Sequence, residues 1–153
     1  MALRNILKDG DETLRKTSRE VTTVNDRLQI LIDDMFETMY ANNGIGLAAP
    51  QVGVLRRLFV MDLHDETGPI VAINPVIKDA AGSQIGQEGC LSVPGRQGDV
   101  ERPASLVLSA LDRNGQPFEL AADDLAAVCI CHENDHLDGI LFIDKVKGEL
   151  LSQ

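Results

Sequence analysis

Two of the three histidines in this 153-residue chain stand four residues apart, in His132-Glu133-Asn134-Asp135-His136. A helix advances about 100° per residue, so positions four apart return to within roughly 40° of each other. Both imidazoles therefore project from one helix face and can share a metal ion, with Glu133 next to where a water on that ion would sit. A solvated surface helix carrying an i,i+4 pair is the plain alternative for so short a pattern. The preceding residues 121–131, AADDLAAVCIC, oppose it: they supply Asp123 or Asp124 as a helix N-cap and then an apolar run too continuous for an exposed face. Buried histidines and a buried glutamate need partners, and a metal supplies one.

A catalytic divalent metal usually takes three protein ligands and leaves a position for water. Downstream the choice is narrow. The zinc-protease pattern H-E-x-x-H-x-x-G-x-x-H holds as far as Gly139 but meets Phe142 where it needs histidine, which counts against a protease of that type. Upstream, Glu88-Gly89-Cys90-Leu91-Ser92-Val93-Pro94 puts a cysteine in a segment punctuated by Gly86, Gly89, Pro94 and Gly95. Such backbone can approach an ion closely, and a thiolate binds both zinc and ferrous iron. Cys90 as a small buried hydrophobe is an equal reading of that residue on its own. Counting about 100° per residue from Cys129, that cysteine shares the face of His132, Glu133 and His136, whereas Cys131 falls near 200° and points away into packing. Three ligands on one rod give poor tetrahedral geometry, which ranks Cys129 as pocket lining beside Leu125, one turn earlier on the same face.

A third segment, Gly44-Ile45-Gly46-Leu47-Ala48-Ala49-Pro50-Gln51-Val52-Gly53, lacks the ending of a P-loop and the glycine order of a dinucleotide fingerprint. A tight helix-to-strand connection accounts for its glycines. Gln51 stands out because its amide offers two donors that can face a developing oxyanion.

Taken together, Gly44–Gln51, Glu88–Ser92 and His132–His136 resemble, in order and spacing, the three signature motifs of the bacterial peptide deformylase family. The resemblance covers nearly the whole chain. It takes in Ile6-Leu7, Leu14-Arg15, Arg102-Pro103, Leu111-Asp112-Arg113-Asn114-Gly115 and the six residues from Leu137 to Phe142. It implies that Cys90, His132 and His136 bind one divalent metal, ferrous iron in the cell, with zinc, nickel or cobalt able to substitute. Glu133 would be the general base and acid. Gln51, through its side-chain amide, and Leu91, through its backbone N–H, would hold the oxyanion. Ile45, Gly46 and Gly89 would pair with the peptide backbone, and Leu125, Val128, Cys129 and Ile45 would line a methionine pocket. The implied reaction is hydrolysis of the formyl group on the N-terminal formyl-methionine of nascent polypeptides, with release of formate. The resemblance also suggests that Glu88 and Arg102 form a pair that fixes the cysteine loop. A metallopeptidase or other small amidase using the same helix is the alternative, and a closed structural metal site is the third class, disfavoured because it has no use for Glu133 and Gln51. Cys131 stands where many members have glutamine, Asn134 where an apolar residue is more usual, and Gly10 where proline is frequent. Only residues 145–153 follow the motif helix, which gives a transient ribosome contact built on a long basic tail little chain to use.

The gross properties fit a small cytoplasmic enzyme. Asp and Glu outnumber Lys and Arg by 24 to 14, for a formal charge of −10, which argues against binding a phosphate backbone or an anionic membrane. An aromatic content of 3% with no tryptophan removes base-stacking platforms. Three cysteines suit a reducing compartment, and the first residues read as neither a signal peptide nor a membrane span.

Periodicity predicts an amphipathic helix over residues 23–42, with Leu28, Ile30, Leu31, Met35, Phe36 and Met39 on its apolar face and Asn42-Asn43-Gly44 ending it. Strands are expected over 57–62, 70–77, 99–101, 105–112 and 117–120, with Asn114-Gly115 turning a hairpin. Helix, strands, helix in that order argue a single α+β domain over residues 1–153, antiparallel strands packed around a central metal-site helix.

Overall fold

The computed structural model describes residues 2–152. Its elements run α1 (Asp26–Ala41), β1 (Gly46–Ala48), β2 (Leu58–Met61), β3 (Ile70–Ala81), β4 (Gln84–Cys90), β5 (Val93–Arg102), β6 (Ser105–Leu111), β7 (Pro117–Asp123), α2 (Asp124–Leu137) and β8 (Val146–Ser152), with short 3-10 turns at Glu12–Arg15, Ala49–Val52 and Phe142–Asp144. All paired strands of the two sheets are antiparallel. A five-stranded sheet has the order β1-β2-β3-β6-β7 and a three-stranded sheet the order β4-β5-β8. This is the expected α+β class.

Strand β2 explains how the layers stack. All four of its side chains are buried, and the period-two alternation of a strand divides them. Phe59 and Met61 join Ala72, Leu108, Ala127 and Ile130 in a core under α2. Leu58 and Val60 join Leu31, Ile32, Met35 and Met39 in a core under α1. The large sheet is thus covered by one helix on each face, and α2 also packs against β5 of the small sheet. A third cluster, Val93, Val100, Leu141 and Phe142, fills the space below the small sheet.

Local chemistry sets the helix ends. Asn25 caps α1 by accepting the Leu28 N–H at 3.0 Å, which starts the helix three residues later than its apolar periodicity predicts. At the other end Asn43 takes the left-handed conformation and Gly44 N–H reaches back to Met39 O at 2.9 Å, a Schellman closure at the Asn-Asn-Gly signal. Ile30, expected on the apolar face, is exposed. Asp123, one of the two expected aspartates, holds the α2 N-cap position, though its side chain makes no capping bond, and residues 121–123 belong to β7. The other end of α2 closes on Gly139, whose N–H reaches His136 O at 3.2 Å while Ile140 N–H reaches Asp135 O at 3.0 Å.

The strands are longer and more numerous than their apolar alternation signals. The expected cysteine loop is strand β4, which pairs with a ten-residue β5 rather than with residues 99–101 alone. Strand β3 continues to Ala81, β7 continues to Asp123, and β1 and β8 have no counterpart among the expected elements. The hairpin turn at Asn114-Gly115 is present, with Gly115 at positive φ and its N–H on Asp112 O at 2.9 Å.

Gly139 allows a specific test, since it sits at φ +76° and a Cβ there would collide with the Arg15 carbonyl. Gly139→Ala is expected to cost at least about 1 kcal/mol, seen as a melting temperature lowered by several degrees in calorimetry. An unchanged melting temperature would contradict this account of how α2 ends.

Candidate metal and catalytic site

The His-Glu-x-x-His helix does what its spacing demands. His132, Glu133 and His136 are all buried, and the two imidazoles meet edge to face with centroids 5.0 Å apart. Cys90, at the end of β4, joins them: one ligand atom from each of Cys90, His132 and His136 lies within 4.8 Å of the others, and Cys90 Sγ is 3.4 Å from His136 Nε2. Between Cys90 and Cys129, the geometry selects Cys90. Cys129 lies one turn before Glu133 and directs its thiol to the Ile45 carbonyl at 3.8 Å, while burial pushes that thiol well above its ordinary pKa. Cys131 packs in the core under α2, as its helix angle requires. Phe142, at the position where a zinc protease of the extended pattern needs histidine, is buried and stacked on His132 at 6.2 Å.

Glu88 and Arg102 form the expected pair, and it is buried and bidentate. Arg102 Nε donates to Glu88 Oε2 at 2.8 Å and Nη2 donates to Oε1 at 2.9 Å. The same Oε1 lies 2.9 Å from His132 Nδ1. A carboxylate on Nδ1 fixes the ring so that Nε2 faces the ligand cluster, the usual support for a metal-bound histidine. Arg102 also donates through Nη1 to Asp135 at 2.7 Å, and Lys145 reaches Asp135 at 3.2 Å, so an alternating chain of charges runs from the surface to His132. Burial alone would raise the Glu88 carboxyl, but the hydrogen bonds from Arg102 and His132 outweigh it and hold the group at about 2. With a folded value below its ordinary 4.5, Glu88 adds stability above that pH and loses it as the pH falls toward 2.

The donor set fits a divalent ion. Burial would push the His132 imidazole down, yet the Cys90 sulfur and the Glu88 carboxylate raise it well above its usual value, so the site favours a positive charge at that point. Burial and the nearby charges of His132 and Arg102 keep His136 neutral, the form in which imidazole binds metal. Glu133 is pushed up to about 7 by burial, and its Oε1 has no hydrogen-bond partner.

Beside the cluster lies a cleft of about 340 Å³. Every expected site residue lines it except His136: Ile45, Gly46, Gln51, Gly89, Cys90, Leu91, Leu125, Val128, Cys129, His132 and Glu133. Two of its walls are strand edges, since β1 is the outer strand of the large sheet and β4 the outer strand of the small one, and α2 supplies a third. Gln51 is held at both ends of its amide. Its Oε1 accepts the Ala48 N–H at 2.9 Å, and its Nε2 donates to Ser92 Oγ at 3.1 Å and lies 3.6 Å from Cys90 Sγ. Ser92 and Asp135 had no role in the sequence reading. The signal for Ser92 was its place two residues after Cys90, and for Asp135 its place one helical step before His136.

A sequence profile of the polypeptide deformylase family matches residues 3–150. The chain belongs to this family. Peptide deformylase 1 of Clostridium acetobutylicum is 55% identical over 146 residues, covering 95% of this chain and 96% of that protein. The crystal structure of a peptide deformylase from Legionella pneumophila superposes with a TM-score of 0.92 at 47% identity, over 95% of this chain and 86% of that one. A peptide deformylase from Synechococcus elongatus, solved in complex with actinonin, superposes at 0.90 with 47% identity over 95% and 80% of the two chains. Deformylases of this family are metal-dependent, in keeping with the Cys-His-His cluster.

Removing one partner of a buried ion pair leaves the other uncompensated, at a cost of about 3–5 kcal/mol. Arg102→Ala is therefore expected to lower the melting temperature and the metal retained after gel filtration, measured by elemental analysis. Unchanged metal content and melting temperature would show that the pair supports neither.

Proposed function

We propose that residues 1–153 act as one catalytic domain in which Cys90, His132 and His136 hold a divalent metal, Glu133 carries the proton, and Gln51 and Leu91 face the oxyanion. Family membership supplies the reaction: the chain is a hydrolase that removes the N-formyl group from nascent polypeptides and releases formate. What supports the residue roles is one observation, the convergence of three ligand atoms within 4.8 Å beside a buried carboxyl whose Oε1 is unpartnered.

When bound, the metal supplies a Lewis acid that makes water acidic and polarises the formyl oxygen. Glu133, raised to about 7 by burial, is suited to accept a proton from the attacking water and return it to the departing amine near neutral pH. Gln51 is held by Ala48 and Ser92 before any substrate arrives, so its amide needs no reorganisation to donate. An oxyanion donor of this kind is worth about 3–4 kcal/mol. The formyl-methionine side chain is assigned to the apolar wall of Ile45, Leu125, Val128 and Cys129. The peptide backbone is assigned to Ile45, Gly46 and Gly89, since the cleft lies between two open strand edges to which an extended chain can add. Ferrous iron is the proposed metal in the cell, with zinc, nickel or cobalt as substitutes, because a thiolate beside two imidazoles suits all four. The proposed setting is the cytoplasm, where nascent chains carry the formyl group. No helix among the described residues is long and apolar enough to cross a membrane. Residues 146–152 form β8 and pair with β5 along one edge, so a ribosome contact through them would use a strand and not a free basic tail.

The decisive assay is formate release from formyl-Met-Ala-Ser by anaerobically prepared protein loaded with ferrous iron or nickel. Glu133→Ala that keeps its metal is expected to lose at least about 10²-fold in kcat; retained turnover would remove Glu133 from its role. The ferrous form is expected to lose activity in air faster than the nickel form, because oxygen attacks an iron-bound thiolate and starts the cysteine oxidation ladder. Equal decay of the two would contradict this account of an oxygen-sensitive iron-bound thiolate.

A further inference from the structure

Strand β1 runs so close to α2 that no side chain fits at Gly46. A Cβ there would lie 2.5 Å from Glu133 Oε2 and 2.9 Å from both Glu133 Cδ and Cγ, well inside contact distance. These are consecutive atoms, so β1 lies along the end of the side chain instead of touching it at one point. Gly46 is not among the glycines at positive φ, so its backbone places no demand for glycine. The demand comes from the space that Glu133 occupies. One turn earlier on the same helix face, the Cys129 thiol meets the Ile45 carbonyl at 3.8 Å, which ties strand and helix together at successive positions.

Glu133 Oε1 is buried without a hydrogen-bond partner. Donors aimed at a carboxylate stabilise its charged form and weaken it as a base, so a carboxyl that must take up and return a proton is better aimed by packing than by hydrogen bonds. We infer that Gly46 is a positioning residue for Glu133: its missing side chain makes the slot that holds the carboxyl at the reacting water. The inference rests on the reading of Glu133 as proton carrier. It is separate from the backbone pairing assigned to Gly46, because alanine keeps the same N–H and C=O.

The end of a glutamate is flexible, so a methyl group at position 46 is expected to displace Glu133 and leave the fold standing. Metal-loaded Gly46→Ala should keep its metal and its KM for formyl-Met-Ala-Ser to within about twofold, while kcat falls about 10²-fold, the cost of misplacing a catalytic group by about 1 Å. Its crystal structure should show the Glu133 carboxyl moved. In a Glu133→Ala background, which lacks the Cγ, Cδ and Oε2 that the added methyl would strike, Gly46→Ala should change the residual single-turnover rate by no more than about twofold. An equal loss in both backgrounds, or an unmoved Glu133 in the crystal, would overturn the inference. If Gly46→Ala fails to fold, folding of Gly46→Ala/Glu133→Ala supports the slot and its failure refutes it. Metal-loaded Glu133→Ala with normal turnover would instead sink the proton-carrier reading, and would leave the displacement in the Gly46→Ala crystal intact.

Discussion

Both oxygens of the Glu88 carboxylate are committed, Oε2 to Arg102 Nε and Oε1 to Arg102 Nη2 and His132 Nδ1. Three elements meet there, two of them partners in the small sheet and the third outside it: β4 brings Glu88 and, two residues on, Cys90; β5 ends in Arg102; α2 brings His132 and Asp135. Burying this many charges is unfavourable unless each finds its opposite, and each does. The same contact orients one imidazole, docks the small sheet on the helix and brings the thiol up to the histidines. The rest of the site follows from that docking.

The larger elements were legible because burial imposes a period on sequence. Helix α1 and strands β2, β3 and β6 pack apolar faces against the two main cores, and their spacing announces it. Strands β4 and β8 were not legible for the same reason in reverse. In β4 Ile85 is exposed and the only buried side chain is that of Glu88, so the segment lacks the apolar alternation that marks a strand. It is a strand because its backbone pairs with β5 and its carboxylate is held by Arg102, and neither interaction has a local signature. The aspartates marked the start of α2 correctly, with Asp123 at its N-cap, but gave no sign that β7 continues through residue 123 as a partner of β6.

The site was more legible than the fold around it. Helix spacing alone put His132, His136, Glu133 and Cys129 on one face and Cys131 off it, and the structure keeps that division. Spacing ranked Cys129 as pocket lining, since three ligands on one rod suit a tetrahedron poorly, but it could not show that Cys90 reaches the histidines, because that depends on where a hairpin docks. Ser92 was invisible for the same reason. Its hydroxyl matters only because Gln51, 41 residues away, turns its amide toward it.

Cys90 and His136 are 46 positions apart, and β8, which closes the far edge of the small sheet, follows both. On a chain made from its N-terminus, the thiol exists before either imidazole, and the sheet that carries it is completed only after both. During that interval Cys90 is an unprotected sulfur on a hairpin that has not docked, with neither the histidines to share a metal with it nor α2 to cover it. Assembly of the centre is thus a late event in the life of each molecule, and its vulnerable period is set by the rate of elongation.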